Sequence, residues 1–328
     1  MILILSDKKD VHADAIVKGL LDGSESFFRL NLDVESLVET QVKFENGRWE
    51  ISQSNGMLNS SQITCVWNRR TFVELLLEET YDQTADFKIW KNEWNKFLVG
   101  FYSSLNSLQW LNPWRLNFIA ENKFLQLETA KRIGFNVPEL IVSNRKSELE
   151  GFLKKYPDSV LKLMHQDFYK TGENEFKGFF VNKITLKDFE KFSDSGENPI
   201  VLQQYIEKAF EVRYTVVGTR HFVCKIDSQK SEKSRVDWRR YDLPNTPYSG
   251  IEAPEIIQSQ VNALLQSLGL IYGALDFIVT PDNKWYFLEI NPMGQFLWIE
   301  DLSGLKISDE IVSWLRKNNK RTYESIRI

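Results

Sequence analysis

The chain has 328 residues, 42% apolar and 26% charged, with a formal net charge of −4. That length exceeds what one hydrophobic core usually supports, so two or three domains are expected, and the charge balance gives no global pull toward nucleic acid or anionic lipid. Cys65 and Cys224 are too few for a disulfide framework or a thiolate metal site, no stretch approaches the roughly 20 apolar residues of a membrane span, and "MILILS" lacks the features of a secretory signal, so a cytoplasmic protein without membrane contact is expected.

The first block reads as an α/β unit. "MILILS" is a buried-strand pattern. Asp7 to Asp10 lead into a helical stretch with Ile16, Val17, Leu20 and Leu21 on one side, and "FFRLNL" is a second strand. "VKFENGRWEIS" alternates around Asn46–Gly47, a two-residue hairpin signal. "ITCVWNRR" (63–70) is a further strand running into two arginines. From Trp90 to Leu111, Trp94, Phe97, Leu98, Phe101, Leu105 and Leu108 recur at three- and four-residue steps, predicting one long amphipathic helix. In "LNPW" (111–114) Pro113 disfavours helix at Asn112, which places a domain boundary there.

The next segment predicts a helix ending at Gly134, then strands at "SVLKLM" (159–164) and "GFFVNKI" (178–184) with a polar loop between them. "NPIVLQQYIEKAFEVRYTVVG" gives two strands around a short connection, and "RHFVCKID" pairs with the second. A basic, turn-rich stretch and a helix over 254–269 lead to two strands joined by "TPDNK" (280–284).

Those last strands, "ALDFIV" and "FLEINP", carry Asp276, Glu289 and Asn291 inside apolar runs, where burying a carboxylate is costly unless it is paired. A hairpin about "TPDNK" puts Asp276 and Glu289 on neighbouring strands, and Glu289 and Asn291, two apart, share a face. Two carboxylates and an amide oxygen make a hard-oxygen site suited to Mg²⁺; edge-strand acids facing water are the alternative. Magnesium of this kind is shared with phosphates, which directs attention to cations. Lys162 lies inside an apolar strand, while Lys123 lies early in a helix and could equally be on a solvated face. Neither a P-loop nor G-x-G-x-x-G is present. The loop 165–177, with Lys170, Gly172 and Lys177, could close over phosphates or be a plain surface loop. The bend at Gln204 to Ile206 offers backbone groups to an adenine edge. Glu211 could accept from ribose hydroxyls, and Arg213 shares its side, where a structural Glu–Arg pair is the alternative.

In this order the features resemble the ATP-grasp superfamily across residues 113 to 300. The resemblance implies ATP clasped between two α+β subdomains, with Lys123 and Lys162 on phosphates, Gln203, Gln204, Tyr205, Ile206 and Glu211 on adenosine, and Asp276, Glu289 and Asn291 holding two Mg²⁺ ions. "VWNRR", "NEWNKFLVGFYSSLNSLQWLNP", "VDWRRYDLP" and "LEINPMGQFLWIE" further resemble the microviridin-type peptide maturases, or graspetide synthetases, over nearly the whole chain. The glycine-poor loop and Met293 depart from that pattern. The implied organisation is an N-terminal pre-ATP-grasp α/β domain (1–112), a central ATP-grasp subdomain (113–200) and a C-terminal one (201–328), with a homodimer expected.

The implied reaction activates an Asp or Glu side chain of a ribosomal precursor peptide, leader and core, as an acyl phosphate that a Thr or Ser hydroxyl or a Lys amine attacks. No protein nucleophile is required, in keeping with the lack of a Ser–His or Cys–His arrangement. Arg213 is the residue assigned to the acyl phosphate. Arg235 and Arg239 are candidates for the same task or for the substrate carboxylate, a solvated basic turn being the alternative. The charged stretch 183–197 is a candidate leader-docking helix or an ordinary solvated one. Among the three histidines, only His165 is near the loop, with a surface role. Two rival functions remain: linear glutamate-type ligation, and non-catalytic binding of ATP or peptide.

Overall fold

The computed structural model describes residues 1–81, 83–164, 168–170, 176–178, 181–190, 198–236, 238 and 242–319. The N-terminal unit is built on a four-stranded parallel sheet in the order Phe27–Asn31, Ile2–Ser6, Cys65–Asn68, Gln109–Leu111. Every residue of Ile2–Ser6 is buried, as expected of an inner parallel strand covered on both faces. Alternation divides the strand between two cores: Leu3 and Leu5 pack with Leu98, Phe101 and Tyr102 of the helix Ala85–Ser104, while Ile2 and Ile4 pack with Ala13, Ile16 and Leu20 of the helix Val11–Asp22. Asp10 caps that helix by accepting from the His12 N–H at 3.0 Å.

The expected hairpin forms between Gln41–Glu45 and Arg48–Gln53, and a third strand, Gly56–Asn59, extends it. The helix predicted over 90–111 is shorter at its far end. It stops at Ser104 with Leu105 as cap, and residues 109–111 pair as a strand instead. Trp110 seals the break, its indole N–H donating to the Leu105 carbonyl at 2.9 Å.

Beyond Pro113 stand a two-stranded antiparallel pair and two larger antiparallel sheets. The smaller runs Asn182–Ile184, Ser159–Lys162, Ile200–Gln204, Leu140–Ser143, with Leu161 and Leu202 turned toward the helix Lys146–Lys155. The predicted strand over 178–184 is observed as Asn182–Ile184 and, separately, Phe176–Gly178, which pairs with Phe168–Lys170. Within the charged stretch 183–197, Leu186–Phe189 forms a helical turn with a Thr185–Asp188 capping box; residues 191–197 lie outside the described residues.

The larger sheet has five strands: Tyr248–Gly250, Arg220–Ile226, Phe210–Val217, Tyr272–Val279, Trp285–Asn291. One face packs on the helices Lys123–Ile133 and Glu255–Leu268 through Leu127, Val261, Phe277 and Phe287. The first of these helices ends at Gly134, whose left-handed φ of 98° suits glycine. The other face shares Val217, Cys224 and Ile226 with Ile2 and Ile4 of the N-terminal sheet, so the two units have a common core. Among the described residues, no helix is long and apolar enough to cross a membrane.

Candidate active site

A cleft of about 890 Å³ opens between the smaller and larger sheets, closed at one end by the N-terminal unit. Side chains of alternating strand residues project into it. Val160, Lys162, Val201 and Gln203 come from the smaller sheet, and Glu211, Arg213, Asp276 and Ile278 from the larger, while their sequence neighbours Leu161, Leu202, Val212 and Phe277 face the cores. Of the site residues expected from sequence, Lys123, Lys162, Gln203, Gln204, Tyr205, Ile206, Glu211, Arg213, Asp276, Glu289 and Asn291 all line this cleft. Arg235 does not line it. That side chain is exposed, although its charge lies close enough to oppose the upward shift of the Tyr205 phenol. Arg239, His165 and Gly172 lie outside the described residues.

The acids meet as the hairpin requires: Asp276 is paired across the strands with Glu289, and Arg213 with Asp276. A bulge sits beside this pair, since Phe277 is opposite Phe287 and not Leu288. The extra residue lets Leu288 and Glu289 both reach the cleft while Phe287 and Ile290 stay in the core.

Each acid carries a cation. The Arg213 guanidinium donates to Asp276 Oδ1 at 2.9 Å, and both side chains are buried. Burial works against the Arg213 charge, but Asp276, with support from Glu289, holds its pKa above the ordinary value. Lys123 Nζ lies 3.2 Å from Glu289 Oε2 and 3.3 Å from Asn291 Oδ1. A cation is thus already seated between two of the three proposed metal donors, and their hard-oxygen chemistry fits Mg²⁺. Among the described residues no three of His, Cys, Asp and Glu converge on one point. A metal here would therefore use two carboxylates, the Asn291 amide and further oxygens from phosphate or water.

At the other end, the backbone N–H groups of Gln204 and Tyr205 donate to Glu139 and Asp158 carbonyls, both at 2.8 Å. An adenine edge would then be met by carbonyls of this bend or by Ile206. Glu211 is paired at 2.8 Å with Lys208, which also donates to the Val236 carbonyl at 3.0 Å. Lys208 was not anticipated, because a lysine in "YIEKAFE" carries no sign of burial until the chain bends it back onto Glu211.

Arg69 and Arg70, read in sequence as the end of a strand and as part of the "VWNRR" motif but not as site residues, also line the cleft. Arg69 is buried against Asp10 at 3.2 Å and donates to the Met293 carbonyl at 2.8 Å. It belongs to a set of side chains that hold the turn after Asn291. Asn112 Nδ2 donates to the Pro292 carbonyl, the Tyr272 hydroxyl to Gly294, and Arg213 to Gln295. The N–H groups of Phe296 and Leu297 point at His12 Nδ1, each at 3.5 Å. Burial, and then the neighbouring Arg69 charge, push the His12 pKa down to about 4, so the ring is a neutral acceptor at pH 7.

Residues 1–117 match the family described as the MvdD pre-ATP grasp domain. The fold of the chain matches that of ATP-grasp ligase structures with a pre-ATP-grasp domain. The macrocyclase MdnC of Microcystis aeruginosa MRC, solved bound with precursor peptide MdnA, is 27% identical, with 97% of this chain and 99% of that one covered at a TM-score of 0.86. A RiPP-associated ATP-grasp ligase of Chryseobacterium gregarium, solved with ADP and a leader and core peptide, is 26% identical, with 96% of each chain covered and a TM-score of 0.86. The ligase PsnB, solved with minimal precursor, Mg and ADP, is 17% identical over 98% of each chain at a TM-score of 0.73, a likeness of fold. The uncharacterized protein MJ0776 of Methanocaldococcus jannaschii is 27% identical over 193 residues, 57% of this chain and 44% of that protein, so the match spans less than half of that relative.

Proposed function

We propose that this protein is an ATP-dependent peptide macrocyclase that joins an Asp or Glu side chain of a ribosomal precursor peptide to a Thr or Ser hydroxyl, or to a Lys amine, in the same peptide. The observation that carries this reading is the gathering of Lys123, Lys162, Arg213, Asp276, Glu289 and Asn291 on one cleft. Its support is the near end-to-end likeness to a macrocyclase that binds its precursor.

The chemistry needs two displacements. An oxygen of the peptide carboxylate attacks the γ-phosphorus of ATP, the bond to the β-phosphate oxygen breaks, and ADP leaves. The hydroxyl or amine then attacks the acyl phosphate carbon and inorganic phosphate departs. The peptide loses one water per ring. Lys123 and Lys162 neutralise phosphate oxygens, and Glu211 with the 203–206 bend orients the nucleoside. Asp276, Glu289 and Asn291 would hold Mg²⁺, which would supply positive charge against the phosphates. Arg213, fixed by Asp276, faces the acyl phosphate with its remaining N–H groups, where a planar fork suits a phosphoryl or carboxylate group.

The test is the intact mass of a Thr- and Glu-rich peptide encoded beside this gene, after co-expression. Loss of one water per bond with wild type, and no loss with Glu289→Gln, is expected, because that change removes a donor charge and little volume. Mass gain in glutamate steps would replace this reading with linear ligation. Unaltered ring yield from Glu289→Gln would overturn the metal assignment.

A further inference from the structure

The two cations on the acidic residues are held very differently. Arg213 and Asp276 are buried, with side chains 7% and 10% exposed, and Arg213 also donates to Gln295. Withdrawing either would take a buried charge away from its hydrogen-bonded counter-ion. Lys123 and Glu289 are 36% and 26% exposed, a pairing that water can replace at small cost. Lys123 is moreover the first residue of the helix Lys123–Ile133, at the positive end of the helix dipole, which disfavours an ammonium and favours an anion. The amide of Asn291 is turned so that its Nδ2 faces Glu289 Oε1 at 3.4 Å and its Oδ1 faces the lysine. One cation position is thus built between Glu289 and Asn291, and a side chain that can leave it lies there.

We propose that Lys123 and Mg²⁺ exchange in this position: the ammonium holds the Glu289–Asn291 pair until a nucleotide triphosphate draws it away, so that metal and nucleotide load together. A divalent ion and an ammonium cannot share the same two oxygens, because like charges at such separation repel strongly. Phosphate oxygens supply the lysine with a new partner at the helix N-terminus as the metal takes the old one. Arg213 stays in place throughout and keeps Asp276 oriented. This rests on the metal assignment proposed above and adds a binding order to it: metal alone binds poorly, and the nucleotide makes the site.

Mn²⁺ binding to the full-length protein, followed by paramagnetic resonance with and without a non-hydrolysable ATP analogue, tests the exchange. Without nucleotide, Lys123→Met should bind Mn²⁺ at least about tenfold more tightly than wild type, as removal of one nearby positive charge implies. Lys123→Arg, which keeps the charge, should stay at the wild-type level. Equal nucleotide-free affinity in wild type and Lys123→Met would overturn the exchange while leaving the metal site standing, provided Glu289→Gln still weakens Mn²⁺ binding in the presence of the analogue. Mn²⁺ affinity unaffected by Glu289→Gln under that condition would overturn the metal assignment itself, and the exchange with it.

Discussion

Gly294 sits where the turn after Asn291 folds back on the sheet, and adding one methyl group there tests the whole arrangement. A Cβ on Gly294 would lie 2.5 Å from the Ala274 Cβ, 3.0 Å from an Arg213 guanidinium nitrogen and 3.2 Å from the Asn291 carbonyl oxygen. The first of these atoms is fixed to a central strand and cannot swing aside. Restoring ordinary contact requires the turn to lift by about 1 Å. The 3.4 Å bond from Arg213 to Gln295 would then be lost, and the 2.7 Å bond from Tyr272 to Gly294 would be stretched. Overpacking of this kind costs about 1–3 kcal/mol, and each buried polar group left short of a partner about 1–3 kcal/mol more. We expect Gly294→Ala to lose roughly 2–6 kcal/mol by those two contributions, with weaker ATP-analogue binding. Adding Ala274→Gly removes the struck atom at a cost of about 0.5–1 kcal/mol for glycine in a strand. The double variant should therefore melt above Gly294→Ala alone, a favourable coupling between two sites in contact. Thermal melting and titration with the analogue read both effects. Wild-type stability and binding in Gly294→Ala, or further damage from Ala274→Gly, would refute the packing described for this turn.

Arg213→Met should destabilise the fold by about 3–5 kcal/mol, because Asp276 is then left buried without its counter-charge; chemical denaturation that places the variant within error of wild type would break that pairing argument. The His12 prediction concerns pH. The folded state holds this ring near a pKa of about 4 against an ordinary 6.5, so between those values the unfolded chain binds more protons. Stability at pH 7 and above is untouched and falls as pH drops through that window, by up to about 3 kcal/mol. His12→Asn keeps an acceptor and removes the titration, so its melting temperature should vary less with pH from 6.5 to 4; an unchanged slope would locate the acid sensitivity elsewhere.

Asp276, Glu289 and Asn291 were legible in the sequence because strand periodicity and a hairpin turn are local rules, and acids inside apolar runs violate one of them visibly. The bulge at Leu288 was not. In a regular strand Phe287 and Glu289 would share a face, and only the ladder with Tyr272–Val279 shows that they do not. The overlong helix has a similar origin. Leu105 and Leu108 continue the helical spacing, but the parallel sheet takes residues 109–111 as its fourth strand, and a local pattern does not contain that competition. Gly56–Asn59 escaped because its short, mostly polar run gains strand character only from its neighbour. Lys208 and Arg69 were missed as site residues for the same reason at longer range: their partners include Val236 and Met293, 28 and 224 residues away.

The bonds to the 292–297 turn decide how the N-terminal unit should be regarded. This partly buried turn has carbonyl and amide groups that cost about 1–3 kcal/mol each where they are buried and unmet, and its own neighbours supply few partners. Arg69, Asn112 and His12, contributed by the N-terminal chain, meet four of those groups, while Tyr272 and Arg213 of the sheet meet the others. Asn112 ties the junction to the larger sheet, accepting from the Ile271 and Tyr272 N–H groups while donating to the Tyr272 and Pro292 carbonyls. The proline punctuation that reads as a linker in the sequence is therefore a rigid joint. Because the turn begins at Asn291 and touches Arg213, the N-terminal unit sets the position of the residues proposed to hold the metal and to face the acyl phosphate. It is part of the construction of the candidate site, and its two arginines form one wall of the cleft.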